Sequence, residues 1–124
     1  MLLCDTNIFI EIFRRNAIIR AEIEKIGQNN IVVSDVSLGE LFYGAIDKAE
    51  WKKMCDDLAP IPVLHINEEI SEMGANMVNQ YCLSHKLDID DALIAATAIY
   101  HNITLFTLNE KDFKFIPDIK LYKM

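Results

Sequence analysis

Short aliphatic runs recur along this chain, and each gives way abruptly to a polar residue. Leu2-Leu3-Cys4 stops at Asp5, Ile31-Val32-Val33 at Ser34 and Asp35, and the run from Ile103 to Leu108 at Asn109. Runs of this kind predict buried strands. Two more are expected, at 63–66 after Pro60 and Pro62, and at 119–122. Between the strands the apolar spacing becomes helical. It predicts helices over about 7–14, 17–26 (Ile19, Ile23 and Ile26 on one face, ending at Gly27), 49–58, 68–84 and 90–100. Another carries Leu38, Leu41, Phe42 and Ala45. The helix from Asp90 to Tyr100 is apolar on every side, which marks it as central and buried. Strands alternating with helices predict an α/β fold, a three-layer α/β/α sandwich around a central parallel sheet of four to five strands.

In such sheets ligands sit beyond the carboxyl ends of the strands, near the point where strand order reverses. Asp5 follows the first strand, Ser34 and Asp35 the second, and Asn109 the fourth. All should therefore face one edge. Carboxylates repel one another, so gathering Asp5, Glu40, Asp90 and Asp91 there is costly without a cation. A divalent metal site is the chemistry this spacing suggests.

Composition narrows the picture without changing it. A chain of 124 residues, 52% hydrophobic and 25% charged, is expected to form one domain over residues 1–124. No repeat, linker or low-complexity tract interrupts it. The net charge of −7 argues against broad electrostatic binding of nucleic acid. The excess is local, with twelve acids against four lysines between Asp35 and Asp91, and a solvated acidic surface would account for much of it. Cys4, Cys55 and Cys82 match neither a disulfide framework nor a zinc motif. No basic leader precedes Asp5, and the run from Ala92 to Tyr100 is too short to span a bilayer, so the cytoplasm is expected.

Each candidate has an ordinary alternative. Asp5, Thr6 and Asn7 are all helix-capping types, although three exceed what one cap requires. Glu40 lies away from the apolar stripe of its helix, as a solvated glutamate would, yet Ser37 and Gly44 leave a notch beside it. Asp88 with Asp91 has the spacing of an N-cap and its third helical residue, and so has Asn109 with Asp112. His65, His85 and His101 are isolated, and no glycine-rich phosphate loop or serine–base pair is present.

At these residues the chain resembles the PIN-domain ribonucleases, and among them the VapC-type toxins of bacterial toxin–antitoxin pairs. The matching stretches are LLCDTNIFI, VSLGELFYGA and DDALIAATAIYHNITLFTLNEKDF, in the family's order. The resemblance implies a PIN-like sandwich and magnesium- or manganese-dependent cleavage of RNA, leaving 5′-phosphate and 3′-hydroxyl ends. It places the family's catalytic and metal-binding acids at Asp5, Glu40 and Asp91. Its fourth polar position falls on Asn109, with Asp112, Thr6, Asn7 and Thr107 as supporting residues. Asparagine at 109 removes one anionic ligand and puts a second metal ion in question. A metal held by the three acids would lower the pKa of a bound water and align it on phosphorus as the nucleophile. Implied partners are the RNA, a separate antitoxin chain and a second copy of this chain. Part of the apolar surface of the first helix (Ile8, Ile12, Phe13) is expected to meet one of these proteins. Two other readings compete. One is a haloacid-dehalogenase-like phosphatase with Asp5 as nucleophile, although its second acid would fall on Asn7. The other is a catalytically silent binding module of the same fold.

Overall fold

The computed structural model describes all 124 residues. Four parallel strands form the sheet: β1 (Leu2–Cys4), β2 (Ile31–Ser34), β3 (Val63–Leu64) and β4 (Thr104–Phe106), in the spatial order β3-β2-β1-β4. After β1 the chain builds outward through β2 and β3. It then returns to lay β4 along the other side of β1. Strand order thus reverses between β1 and β4, where Leu3 pairs with Leu105 and Cys4 with Phe106. A crevice is expected at the carboxyl ends of these two strands.

Six α-helices complete the layers: α1 (Thr6–Phe13), α2 (Ala17–Ile26), α3 (Asp35–Tyr43), α4 (Lys48–Leu58), α5 (Glu68–His85) and α6 (Ile89–Tyr100). Alternation along the strands divides the core in two. Cys4, Ile31, Val33 and Phe106 face α1–α4 and join Ile8, Phe9, Leu41 and Met54. Leu3, Val32 and Leu105 face the opposite side and join Ala92, Ile94, Ala95 and Ala98 of α6. The expected sandwich is therefore present. Helix α6 is as central as its composition implied, with an unbroken buried run from Ile94 to Ala98. It packs closely on α5 because Gly74 has no side chain. A Cβ there would lie 2.7 Å from Leu93 Cδ2.

Several boundaries move for identifiable reasons. Strand β3 stops at Leu64 rather than Ile66, because the Ile66 N–H donates to Asp35 Oδ2 at 2.8 Å instead of to a neighbouring strand. The same carboxylate holds His65 Nδ1 at 2.9 Å. Strand β4 ends at Phe106, where Thr107 turns toward Asp5. The expected strand at 119–122 is reduced to one parallel bridge, Leu105 to Leu121. Behind it, Tyr122 packs on Phe106 and its hydroxyl donates to Glu22.

The apolar surface expected on α1 is smaller than its sequence suggests. Ile8 has no exposed surface and belongs to the core. Ile8 and Phe9 pack into the core cluster, while Ile10, Ile12 and Phe13 stay partly accessible. No helix of the structure is long and apolar enough to cross a membrane.

Candidate metal and phosphodiester site

Asp5 leaves β1 at the reversal of strand order and serves as N-cap of α1. Its Oδ1 accepts from the Thr6 N–H at 2.8 Å. Its Oδ2 accepts from Thr107 Oγ1, just past β4, also at 2.8 Å. Capping and site-building are thus the same arrangement. The carboxylate is 6% exposed. Burial raises its pKa and repulsion from Asp112 adds to that, while the bonds from Thr107 and Thr6 work against the rise.

Thr107 is the hub of this corner. Besides donating to Asp5, its oxygen accepts from the Asn109 N–H at 3.1 Å and lies 3.4 Å from Asn7 Nδ2. Asn7 Oδ1 in turn accepts from the Leu108 N–H at 3.3 Å. The surplus polar residues after β1 therefore tie α1 to the end of β4. Thr107→Val should lower activity about 10–100-fold, the usual cost of losing a group that orients a ligand. Thr107→Ser, which keeps the hydroxyl, should retain most of it. Equal activity in both variants, each confirmed folded by thermal melting, would show that Thr107 orients nothing.

Glu40 reaches the site from α3. Thr6 Oγ1 lies 2.7 Å from Glu40 Oε1 and 3.0 Å from Ser37 Oγ. Thr6 has a single hydroxyl proton, so it donates to the carboxylate and accepts from Ser37. Ser37 is fully buried one turn before Glu40, and its part in this chain was not read from the sequence. The i, i+3 spacing to Glu40 was the available signal. Glu40 itself is exposed. Partial desolvation raises its pKa, and Asp90, Asp5 and Asp88 add repulsion.

Asp88 is the N-cap of α6, accepting from the Asp91 N–H at 2.9 Å. That ordinary capping role leaves the Asp91 carboxylate uncommitted. Desolvation pushes Asp91 up to about 7, and repulsion from Asp88, Asp5, Asp112 and Glu40 contributes. The side chains collected from four separate elements therefore do sense one another.

Asn109 does not take the ordinary capping alternative. It precedes a short 3₁₀ turn (Glu110–Asp112) but makes no side-chain cap bond; its backbone oxygen accepts from the Asp112 N–H at 3.0 Å. Its amide stays exposed at the site. Cys4, beside Asp5, is buried with its thiol raised to about 12 and is chemically inert.

No three carboxylate, histidine or cysteine side chains lie close enough together to hold a metal ion by themselves. The donor set nevertheless suits a hard cation. Every candidate is an oxygen donor, and Mg²⁺ keeps several of its waters, so one or two carboxylates suffice. None of the chain's ion pairs engages Asp5, Glu40, Asp91 or Asp112, so no lysine or arginine offsets their repulsion.

Comparison with known proteins gives the family and the fold. The family model described as PIN domain matches residues 2–118. Ribonuclease VapC19 of Mycobacterium tuberculosis is 30% identical, over 97% of this chain and 98% of its own. A toxin–antitoxin complex from Klebsiella pneumoniae contains a chain that superposes with a TM-score of 0.82 at 27% identity, covering 100% of both chains. VapBC2 from Rickettsia felis, bound to a DNA fragment from its promoter, also superposes at 0.82 and 27% identity, over 99% of this chain and 98% of the other.

Proposed function

Because this chain belongs to the PIN-domain family, we propose that it is a metal-dependent endoribonuclease, the toxin of a toxin–antitoxin pair. The observation that carries this reading is the gathering of Asp5, Glu40, Asp91 and Asp112 at the carboxyl ends of β1 and β4 with no basic partner in any ion pair; burial first, and their repulsion second, push Asp91 up to about 7. Asp5, Asp91 and Glu40 would hold Mg²⁺ or Mn²⁺. When bound, the ion supplies an activated water for attack on phosphorus and offsets charge on the phosphoryl oxygens. The chain's own residues prepare the site for it. Thr107 and the Thr6 N–H fix both oxygens of Asp5, and the Thr6 hydroxyl aims Glu40. Asp88 satisfies the α6 terminus so that Asp91 need not. The amide of Asn109 is free to meet the cation or the RNA.

The phosphatase reading loses support. Both oxygens of Asp5 accept hydrogen bonds, which weakens it as a nucleophile, and Asn7 is bound to the end of β4 rather than poised as an acid. An antitoxin is the expected protein partner, because the superposing complexes are toxin–antitoxin pairs. A second copy of this chain is a further expected partner. A cleft of about 480 Å³ beside Glu40, with Ile10, Phe13, Leu41 and Met54 in its wall, offers apolar ground for an incoming segment.

The test is cleavage of labelled single-stranded RNA by the purified chain in Mg²⁺ or Mn²⁺, with and without chelator. Cleavage that needs the metal and disappears in Asp5→Asn supports the reading. No cleavage under either metal, across several RNA sequences, favours the silent binding module instead.

A further inference from the structure

Near Asp88 and Asp112 in sequence lies an aromatic feature that the cleavage chemistry leaves unused. The His85 ring, at the end of α5, lies flat on Phe115, with centroids 3.9 Å apart and planes 11° from parallel. Tyr81 meets His85 and Phe115 edge-on at 5.8 and 5.1 Å. Tyr81 and Phe115 pack against the core on the α6 side of the sheet, whereas His85 is exposed. The stack is therefore anchored at its base and open at its top. Ser84 Oγ lies 2.8 Å from His85 Nδ1 and helps to fix the ring.

The position is informative. Asp88 comes three residues after His85, and Asp112 three residues before Phe115. Both carboxylates act on Asp91, so the two strands of chain that build the stack also build the site. Charge favours an anionic ligand here. Lys86 follows His85 and Lys114 precedes Phe115. Both are exposed, and neither forms an ion pair, in a chain of net charge −7. Lys86 holds a left-handed backbone at φ 54°, capping α5 where glycine would fit without strain.

We infer that the exposed face of His85, seated on Phe115, stacks a base of the RNA strand entering the site, with Lys86 and Lys114 holding flanking phosphates. This inference rests on the ribonuclease reading for its ligand. A flat aromatic face accepts any base, and two exposed lysines next in sequence to His85 and Phe115, outside every ion pair, suit a single strand better than a folded acidic protein. The platform would position the strand, leaving bond cleavage to the carboxylates.

Binding of a labelled single-stranded RNA to the full chain, measured by fluorescence anisotropy in chelator so that nothing is cut, provides the test. His85→Ala should weaken binding about 5–100-fold, the loss of one stacked base, and His85→Trp should restore it. Lys86→Gln and Lys114→Gln should each lower the salt dependence, reducing the log–log slope by about 0.7 per lost phosphate contact. With metal present and RNA below saturation, cleavage by His85→Ala should fall in step with its weaker binding. Unchanged binding in His85→Ala and both lysine variants overturns the platform, while metal-dependent cleavage by the wild-type chain leaves the ribonuclease reading standing. A wild-type chain that binds no RNA overturns the platform outright. A His85→Ala protein that binds normally but cleaves slowly at saturation would also contradict it, by placing His85 in the chemistry.

Discussion

Asp91→Asn should abolish RNA cleavage, by on the order of 10³-fold or more, while the metal-free protein melts at a higher temperature than wild type. Both effects come from one side chain. Asp91 is desolvated on a buried helix and faces Asp88, Asp5, Asp112 and Glu40. Amide replacement keeps the shape and removes the charge, so a cation loses a ligand and the folded chain loses a repulsion. Asp5→Asn and Glu40→Gln should be similarly inactive. Their effects on melting should differ, because Asp5 also caps α1 and receives Thr107, whereas Glu40 is exposed and only receives Thr6. Wild-type cleavage in any of the three, with metal present, would remove that residue from the site.

The pH dependence of stability should carry the same signature. In the metal-free chain Asp91 is raised from 3.8 to about 7, and Asp5 and Glu40 are raised as well. Between about 4 and 7 the folded protein therefore holds protons that the unfolded chain has released. Stability must fall as pH rises through that window. At full strength the Asp91 shift would be worth about 4 kcal/mol. The group is only partly buried, and screening reduces this to roughly 1–2 kcal/mol. For a domain of this size that is about 3–9 °C in melting temperature between pH 5 and pH 8. Mg²⁺ should flatten the dependence by favouring the ionised carboxylates, and Asp91→Asn should remove much of it. A metal-free protein that melts higher at pH 8 than at pH 5 would contradict the electrostatic description of the site.

Much of this was legible in the sequence because the strands are short and nearly wholly apolar. The alternating burial of Leu3 against Cys4, and of Val32 against Val33, follows directly from strand geometry. The polar residues that end the strands therefore had to share an edge. Contacts between residues far apart in sequence were not legible. Asp35 takes the Ile66 N–H and shortens β3, and Thr107 gathers Asp5, Asn7 and Asn109 at the end of β4. Local spacing made Asn109 a cap and Ile8 a surface residue. Tertiary placement overrode both, leaving Asn109 without a side-chain cap bond and Ile8 in the core. The His85–Phe115 stack joins residues 30 apart, and neither has a neighbour that announces it.

Calorimetric titration of the purified chain with Mn²⁺ or Mg²⁺ near pH 7.5, alongside Asp91→Asn, tests most directly whether these carboxylates form a cation site. The expected result is saturable binding by wild type with proton release, and an affinity at least about tenfold weaker in the variant. Equal affinity in the two proteins, or no saturable binding by wild type, would contradict it.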